Sequence, residues 1–260
     1  LFRSRHMTYK TINLKLDSTL ATLSLNRPEV HNAMNATMMQ EIISAIELAG
    51  KNPDIRIVII NGEGPSFCAG ADLNMMKNSA NQTTDENKTE ARLLNRMYKT
   101  INECSKPVLG VIHGYAIGGG FGLCTVCDIV IADEKTIFSL SEVLIGIIPA
   151  VIGPYTERKI GNSWWRALGI SGERFDAPFA EKIGLVHYSV PKIEMDNMIK
   201  HVIQQLMKGG PISQSIFKEY IRNMDQLNST DVIANVRSSP EGQEGLAAFL
   251  EKRKPNWNQK

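Results

Sequence analysis

Gly114-Tyr115-Ala116-Ile117-Gly118-Gly119-Gly120 closes an apolar run that begins at Pro107, and Ser141-Glu142-Val143-Leu144-Ile145-Gly146 follows it. Three successive glycines after an apolar strand let backbone N–H groups approach a ligand closely, because no Cβ stands in the way. A carboxylate, Glu142, comes next at a spacing where it can face the same ligand. The two stretches together point to a site that stabilises a negative oxygen and moves a proton beside it.

Working outward, the chain alternates strand and helix patterns. Thr8 to Asp17 and Leu20 to Leu25 alternate apolar and polar residues and read as a hairpin through Asp17-Ser18-Thr19. Asn35 to Lys51 carries Met38, Met39, Ile42, Ile43 and Ile46 near helical spacing, with Asn35 or Thr37 as the cap. Ile57 to Ile60 is a β-branched run of the kind buried on both faces of a sheet. Glu90 to Cys104 places Leu93, Leu94, Met97, Tyr98 and Ile101 on one side of a helix, after a polar stretch, Asn78 to Lys88, that reads as mobile. Pro107 to Ile112, Ile129 to Ala132 and Ile137 to Leu140 are further strands.

Beyond Pro149 the pattern is mainly helical, with segments near 152–160, 163–170, 178–183, 194–208, 212–225 and 242–252. Strands interleaved with helices thus fill the chain to about residue 190, and helices alone follow. That order predicts α/β layers with parallel strands joined by helical crossovers.

The bulk composition narrows the function classes. A chain of 260 residues, 43% hydrophobic and 22% charged, reads as one large domain or one domain with a helical extension. A net charge of +2 gives no electrostatic case for nucleic acid. No apolar run reaches the about 20 residues of a membrane span. Cys68, Cys104, Cys124 and Cys127 follow no disulfide-scaffold spacing, which favours a reducing compartment, and Cys124-Thr125-Val126-Cys127 reads as buried packing rather than a metal or redox pair. Residues 1–6 look like an expression-tag remnant ahead of Met7; with no cleavable leader beyond them, the expected compartment is the cytoplasm, or the mitochondrial matrix if a transit peptide has been removed.

Several stretches in order resemble the enoyl-CoA hydratase/isomerase (crotonase) family. They are Leu25-Asn26-Arg27-Pro28 with Asn32-Ala33-Met34-Asn35, then Phe67-Cys68-Ala69-Gly70-Ala71-Asp72-Leu73, then Pro107 to Gly114 leading into the glycine triplet and Cys127-Asp128. Phe138-Ser139-Leu140-Ser141-Glu142 and Gly146-Ile147-Ile148-Pro149 follow, and Glu244-Gly245 through Phe249 to Pro255 closes the chain. The resemblance implies an α/β crotonase-type spiral of ββα repeats over 7–195, with a helical C-terminal trimerisation region over 196–260. It also implies a homotrimer or a hexamer of paired trimers. The substrate implied is an acyl-CoA thioester, so that coenzyme A arrives as part of the substrate and no separate cofactor or metal is expected.

By the same resemblance the backbone N–H groups of Ala71 and Gly119 are the donors that hold the enolate oxygen, and Glu142 is the proton-transfer residue. A pair of fixed donors aimed at such an oxygen is worth a few kcal/mol, roughly 3. Gly119 also opens an apolar, helical stretch whose positive end would face the oxygen. Glu142 precedes a hydrophobic loop, which should raise its pKa toward acid/base work. Ala69, Asp72, Leu73 and Asn74 match the groove for the coenzyme A moiety. Arg27 lies in a loop near the adenosine diphosphate, and Lys252 belongs to the closing basic motif that could meet a phosphate from a neighbouring subunit.

One position departs from the best-known hydratases. They carry a second glutamate two residues after the glycine triplet, whereas here Gly122 stands there. Either Glu142 acts alone in hydration, or it moves a proton from C2 to C4 of a 3-enoyl-CoA without adding water. Leu140-Ser141-Glu142-Val143 with Gly146 to Val151 looks most like bacterial methylglutaconyl-CoA hydratases, some with glycine at the same place, which favours hydration. A third reading is a catalytically reduced member that binds an acyl-CoA or a partner. His31 and His113 have no metal-spaced partner and read as structural; Trp164-Trp165 fills a core or a subunit interface; Met75 and Met76 line an acyl pocket or simply pack. No G-x-G-x-x-G dinucleotide fingerprint is present.

Overall fold

The computed structural model describes residues 5–79 and 81–258. Its strands are β1 (Arg5–Thr8), β2 (Ile12–Asp17), β3 (Leu20–Leu25), β4 (Ile57–Gly62), β5 (Val108–Ile112), β6 (Tyr115–Ile117), β7 (Ile129–Asp133), β8 (Ile137–Ser139), β9 (Arg174–Asp176) and β10 (Tyr188–Val190). Its α-helices are α1 (Ala36–Lys51), α2 (Leu73–Ser79), α3 (Thr84–Asn102), α4 (Gly119–Val126), α5 (Gly153–Ser171), α6 (Ala177–Lys182), α7 (Met195–Lys208), α8 (Pro211–Arg222), α9 (Ser229–Ser238) and α10 (Pro240–Leu250).

Seven strands form the main sheet in the order β1-β2-β3-β4-β5-β7-β10, and β6-β8-β9 form a small second sheet. β1, β2 and β3 pair antiparallel; from β3 through β4, β5 and β7 to β10 every pairing is parallel. β5 in the main sheet, β6 in the small one and α4 make one turn of a spiral; β7, β8 and α5 make the next. The chain has the α/β fold with ββα turns and a helical C-terminal stretch that the family resemblance implies.

The main sheet is buried on both faces, as the Ile57 to Ile60 run predicts. Successive side chains of β4 point to opposite sides. Val58 and Ile60 join a large core with α1, α3 and α4, while Ile57 and Ile59 pack with Leu109, Ile131, Val190 and the α7 residues Met195 and Val202. α1 starts where its cap predicts: the Asn35 side chain accepts a hydrogen bond from the Met38 N–H at 2.9 Å.

Some expectations shift. Arg5 and His6, set apart above as a tag remnant, pair in β1 with Leu16 and Lys15, because backbone ladders depend little on side-chain identity; residues 1–4 lie outside the described residues. The strand expected over Thr8 to Asp17 is two, broken between Thr8 and Ile12. The expected mobile stretch Asn78 to Lys88 contains Ala80, which lies outside the described residues, and its end is helical. α3 begins at Thr84 behind a capping box in which Thr83 and Glu86 satisfy each other's backbone N–H. The segments 152–160 and 163–170 are two helical stretches, as expected, joined within α5 across a non-helical kink at Gly161 (φ 75°). α2, α9, β6, β9 and β10 have no counterpart in the sequence reading. Among the described residues no helix is long and apolar enough to cross a membrane.

Candidate active site

The site lies beyond the carboxyl ends of the parallel strands β4 and β5, where connections leave for the small sheet and for helices. In open α/β sheets this is where ligand crevices form. Three segments meet there. The first, Cys68 to Ala71, follows β4. A parallel bridge sets Cys68 beside Ala116 of β6, and three residues further along each segment stand Ala71 and Gly119. The backbone N of Gly119 is 3.9 Å from the place a Cβ on Gly70 would take.

Among the described residues, the N–H groups of both Ala71 and Gly119 are left over by the fold. The Met34–Ala71 bridge is made by the Met34 N–H donating to the Gly70 carbonyl (2.7 Å) and the Asp72 N–H donating to the Met34 carbonyl (2.9 Å). Neither bond uses the Ala71 N–H. Gly119 is the first residue of α4, whose opening N–H groups have no carbonyl one turn earlier to donate to. The glycine before it is required: Gly118 caps the helix at φ 51°, a conformation side-chain-bearing residues rarely adopt.

The third segment carries Glu142. The Gly118 N–H donates to the Ser139 carbonyl at 2.9 Å, and the Ser139 hydroxyl donates to the Gly172 carbonyl at 3.0 Å. The first bond holds the end of β8 against the start of α4, and the second ties it to the cap of α5. The chain then turns through a 3-10 helix, Ser141–Ile145, and a Cβ on Gly118 would stand only 3.2 Å from Glu142 Oε1. Glu142 Oε2 is buried and has no hydrogen-bond partner among the described residues. Burial raises the pKa of this carboxyl above its ordinary value, only partly offset by a backbone hydrogen bond.

Ala71, Gly119 and Glu142 all line one cavity of about 310 Å³. Its remaining wall is mostly apolar: Met34, Met39, Met75, Met76, Leu94 and the run 147–152. Asn87, Glu90 and Tyr98 of α3 supply its other polar side chains. A larger cavity, about 670 Å³, lies between α8 and the sheet, away from these three residues. Several of its ionisable groups are engaged with protein partners: Lys218 with Asp128 and the Lys106 carbonyl, Lys159 with the Cys127 carbonyl, Arg222 with the Asn102 carbonyl.

The remaining residues singled out in the sequence sit elsewhere around the site. Arg27 and Asp72 pair with each other at 2.7 Å, and Arg27 also donates to the Ala33 carbonyl at 2.6 Å. Burial works against the Asp72 carboxylate, but Arg27 and the N–H groups of Asn74 and Met75 outweigh it and hold its pKa below the ordinary value. Ala69, Leu73 and Asn74 are exposed. Gly122 is buried beneath Tyr98 and Ile152. Lys252 is exposed, just past α10, with φ 55°. His31 Nδ1 is 2.9 Å from the Ser66 hydroxyl and His113 Nε2 is 2.9 Å from the Gly64 carbonyl. All four cysteines are buried and free. Met75 and Met76 do line the cavity.

Tyr98 is the site residue that sequence reasoning missed. The helical spacing places it only on the apolar side of α3. A hydroxyl within a buried helical stripe must find a partner, and here it donates to the Gly119 carbonyl at 2.8 Å.

Comparison with known proteins shows what the chain resembles. The enoyl-CoA hydratase/isomerase family profile matches residues 15–260. Crotonyl-CoA hydratase of Syntrophomonas wolfei is 30% identical over 260 residues, covering 96% of this chain and 99% of that protein. 2,3-Dehydroadipyl-CoA hydratase of Escherichia coli is 30% identical over 246 residues, covering 90% and 93%. A crystal structure of an enoyl-CoA hydratase from Shewanella pealeana superposes with a TM-score of 0.91 at 33% identity, covering 96% of this chain and 97% of that one.

Proposed function

The chain belongs to the enoyl-CoA hydratase/isomerase family, and we propose that it adds water across the double bond of a 2-enoyl-CoA. In this reading the thioester oxygen takes hydrogen bonds from the N–H groups of Ala71 and Gly119. Those donors stabilise the charge that develops as the enolate forms, and the positive end of α4 adds to them. Glu142 takes a proton from the attacking water and returns it to C2 on the same face. The observation that carries the reading is one cavity lined by Ala71 and Gly119, whose N–H groups are left over by the fold, and by a carboxylate with a raised pKa.

The acyl chain would occupy the methionine-lined part of the cavity. Among the described residues its wall holds no Lys, Arg or His, and Glu90 is the only carboxylate besides Glu142. That lining favours an uncharged acyl group over one ending in a carboxylate. Exposed Ala69, Leu73 and Asn74 adjoin Ala71 and would face the coenzyme A moiety, with Lys252 reaching a phosphate across a subunit boundary. The same reading includes a homotrimer or paired trimers. Phe217 of α8, 62% exposed, and Phe249 of α10, 81% exposed, are the kind of apolar surface that assembly would cover.

The test is turnover of crotonyl-CoA beside a 3-enoyl-CoA, followed by the absorbance of the conjugated thioester. Loss of absorbance with crotonyl-CoA is the expected result. Gain with the 3-enoyl-CoA and silence with crotonyl-CoA would move the assignment to the isomerase, a reading favoured by Gly122 standing where the best-known hydratases carry their second glutamate. Binding of CoA esters without conversion of either would leave a binding protein.

A further inference from the structure

Resting on the reading that the Ala71 N–H holds the thioester oxygen, we propose that Arg27 is a positioning residue for that donor, acting through two peptide groups in series. A backbone donor aimed into a cavity stabilises a developing charge only if its peptide plane is fixed beforehand. Peptide groups are planar, and among the described residues none is cis, so the carbonyl and the N–H of one peptide point in opposite directions.

The Ala71 N–H shares its plane with the Gly70 carbonyl, which accepts from the Met34 N–H at 2.7 Å. The Met34 N–H shares its plane with the Ala33 carbonyl, which accepts from Arg27 Nη1 at 2.6 Å. The series therefore runs from the guanidinium through the Ala33–Met34 peptide and the Gly70–Ala71 peptide to the ligand oxygen. Arg27 is itself held at the head of it. Its N–H donates to Asn32 Oδ1 at 2.7 Å, and its carbonyl accepts from the Asn32 N–H at 2.9 Å. Its Nη2 meets Asp72 Oδ2 at 2.7 Å, while Asp72 Oδ1 accepts from the Asn74 N–H at 2.8 Å. The fork thus grips both sides of the Met34–Ala71 bridge, since Ala33 precedes Met34 and Asp72 follows Ala71.

Ala33, Met34 and Asp72 are buried. Hydrogen bonds in a chain polarise one another, more so where water is excluded, and a charged donor is stronger than a neutral one. Arg27 draws electron density from the Ala33 carbonyl, which makes the Met34 N–H a stronger donor to Gly70 and the Ala71 N–H a stronger donor to the ligand. It therefore both aims that N–H and strengthens it as the enolate charge develops. Asp72 balances the guanidinium charge, but its carboxylate lies outside the series. Two substitutions that break the same ion pair should thus differ in effect.

The test reads the carbonyl stretch of butyryl-CoA, isotope-labelled at the thioester carbon, bound to the whole protein, by difference infrared spectroscopy. The stretch falls in frequency as the oxygen is hydrogen-bonded more strongly, and no turnover is needed to see it. Wild type should lower it relative to free butyryl-CoA. Arg27→Met should lose part of that shift and lower kcat on crotonyl-CoA by about 10- to 100-fold. Arg27→Lys, whose ammonium can still donate to the Ala33 carbonyl, should restore part of both. Asp72→Asn should keep the wild-type shift. Equal losses of shift in Arg27→Met and Asp72→Asn would reduce Arg27 to half of an ion pair and overturn the proposal, as would a full shift in Arg27→Met. Should Arg27→Met not fold, Arg27→Met with Asp72→Asn, which leaves neither charge unpaired, is compared with Asp72→Asn alone; a smaller shift in the double variant is expected, and equal shifts overturn the proposal. A wild-type complex without any shift would instead remove the two N–H donors from the reading itself, and Arg27 with them.

Discussion

Gly122 and Tyr98 are two halves of one packing arrangement: a Cβ on residue 122 would lie 2.8 Å from Tyr98 Oη and 2.9 Å from its Cζ. Ile152 closes the remaining space, its Cγ2 at 2.5 Å from the same point. The position that carries a second glutamate in the best-known hydratases therefore has no room for any side chain here, because a ring from α3 fills it.

Gly122→Ala should destabilise the fold by about 1–3 kcal/mol, the usual cost of overpacking a tight core. Urea denaturation would measure it. Adding Tyr98→Phe should give little relief, since Cζ remains in contact range, whereas adding Tyr98→Ala should recover part of the loss at that contact. If Gly122→Ala is as stable as wild type, the packing described between these residues is wrong.

Glu142→Gln should lower turnover by roughly 100- to 10,000-fold, the range for removing a positioned general acid/base, while CoA-ester binding stays near wild type. For the wild type, kcat/KM should fall on the acid side with a midpoint above 4.5, the ordinary value for Glu, because burial favours the protonated, inactive form. Near-wild-type turnover of the Gln variant would remove Glu142 from the mechanism.

The same raised pKa has a consequence for stability. A carboxyl whose pKa is higher folded than unfolded favours the native state at low pH and loses that contribution as pH rises through the folded value. Glu142→Gln should thus melt at or above the wild-type temperature near pH 8, with the difference shrinking toward pH 4. Thermal melts across that range would check both the sign and the trend.

Asp72→Asn should destabilise by about 3 kcal/mol, because it strands the Arg27 guanidinium, whose side chain is only 16% exposed. The depressed pKa of Asp72 gives the opposite sign to Glu142: its contribution is present above the unfolded pKa and disappears as pH falls through the folded one. The stability gap between wild type and variant should therefore close in acid. A constant gap from pH 7 to pH 2 would contradict the ion pair.

Acyl selectivity should follow the cavity's lining. Uncharged 2-enoyl-CoA esters should be turned over with higher kcat/KM than 3-methylglutaconyl-CoA or 2,3-dehydroadipyl-CoA, whose distal carboxylates would meet methionines and Glu90. Glu90→Lys should narrow the difference. A wild-type preference for either acidic ester would show that a cation outside this cavity reaches the acyl end, and would restore the likeness to methylglutaconyl-CoA hydratases as the better guide.

The sequence by itself determined what depends on near neighbours in the chain. The unbroken β-branched run Ile57 to Ile60 marks a strand buried on both faces, the three-to-four-residue spacing after Asn35 marks α1, and Asn35 caps that helix as its side chain allows. The pattern around Ala71, the glycine triplet and Glu142 singled out the three residues that the fold brings to one cavity. Only the tertiary structure decided how distant segments divide their interactions. Arg27 and Asp72, separately legible as candidates for the coenzyme A moiety, are brought together as an ion pair. Tyr98 looks like one more apolar position of α3 until Gly122 of α4 is packed against its ring and Gly119 takes its hydroxyl. Local patterns report backbone preference and burial, which a few adjacent residues settle. Which buried polar group finds which partner depends on contacts between segments far apart in the chain, and these exist only once the sheet and helices have closed around them.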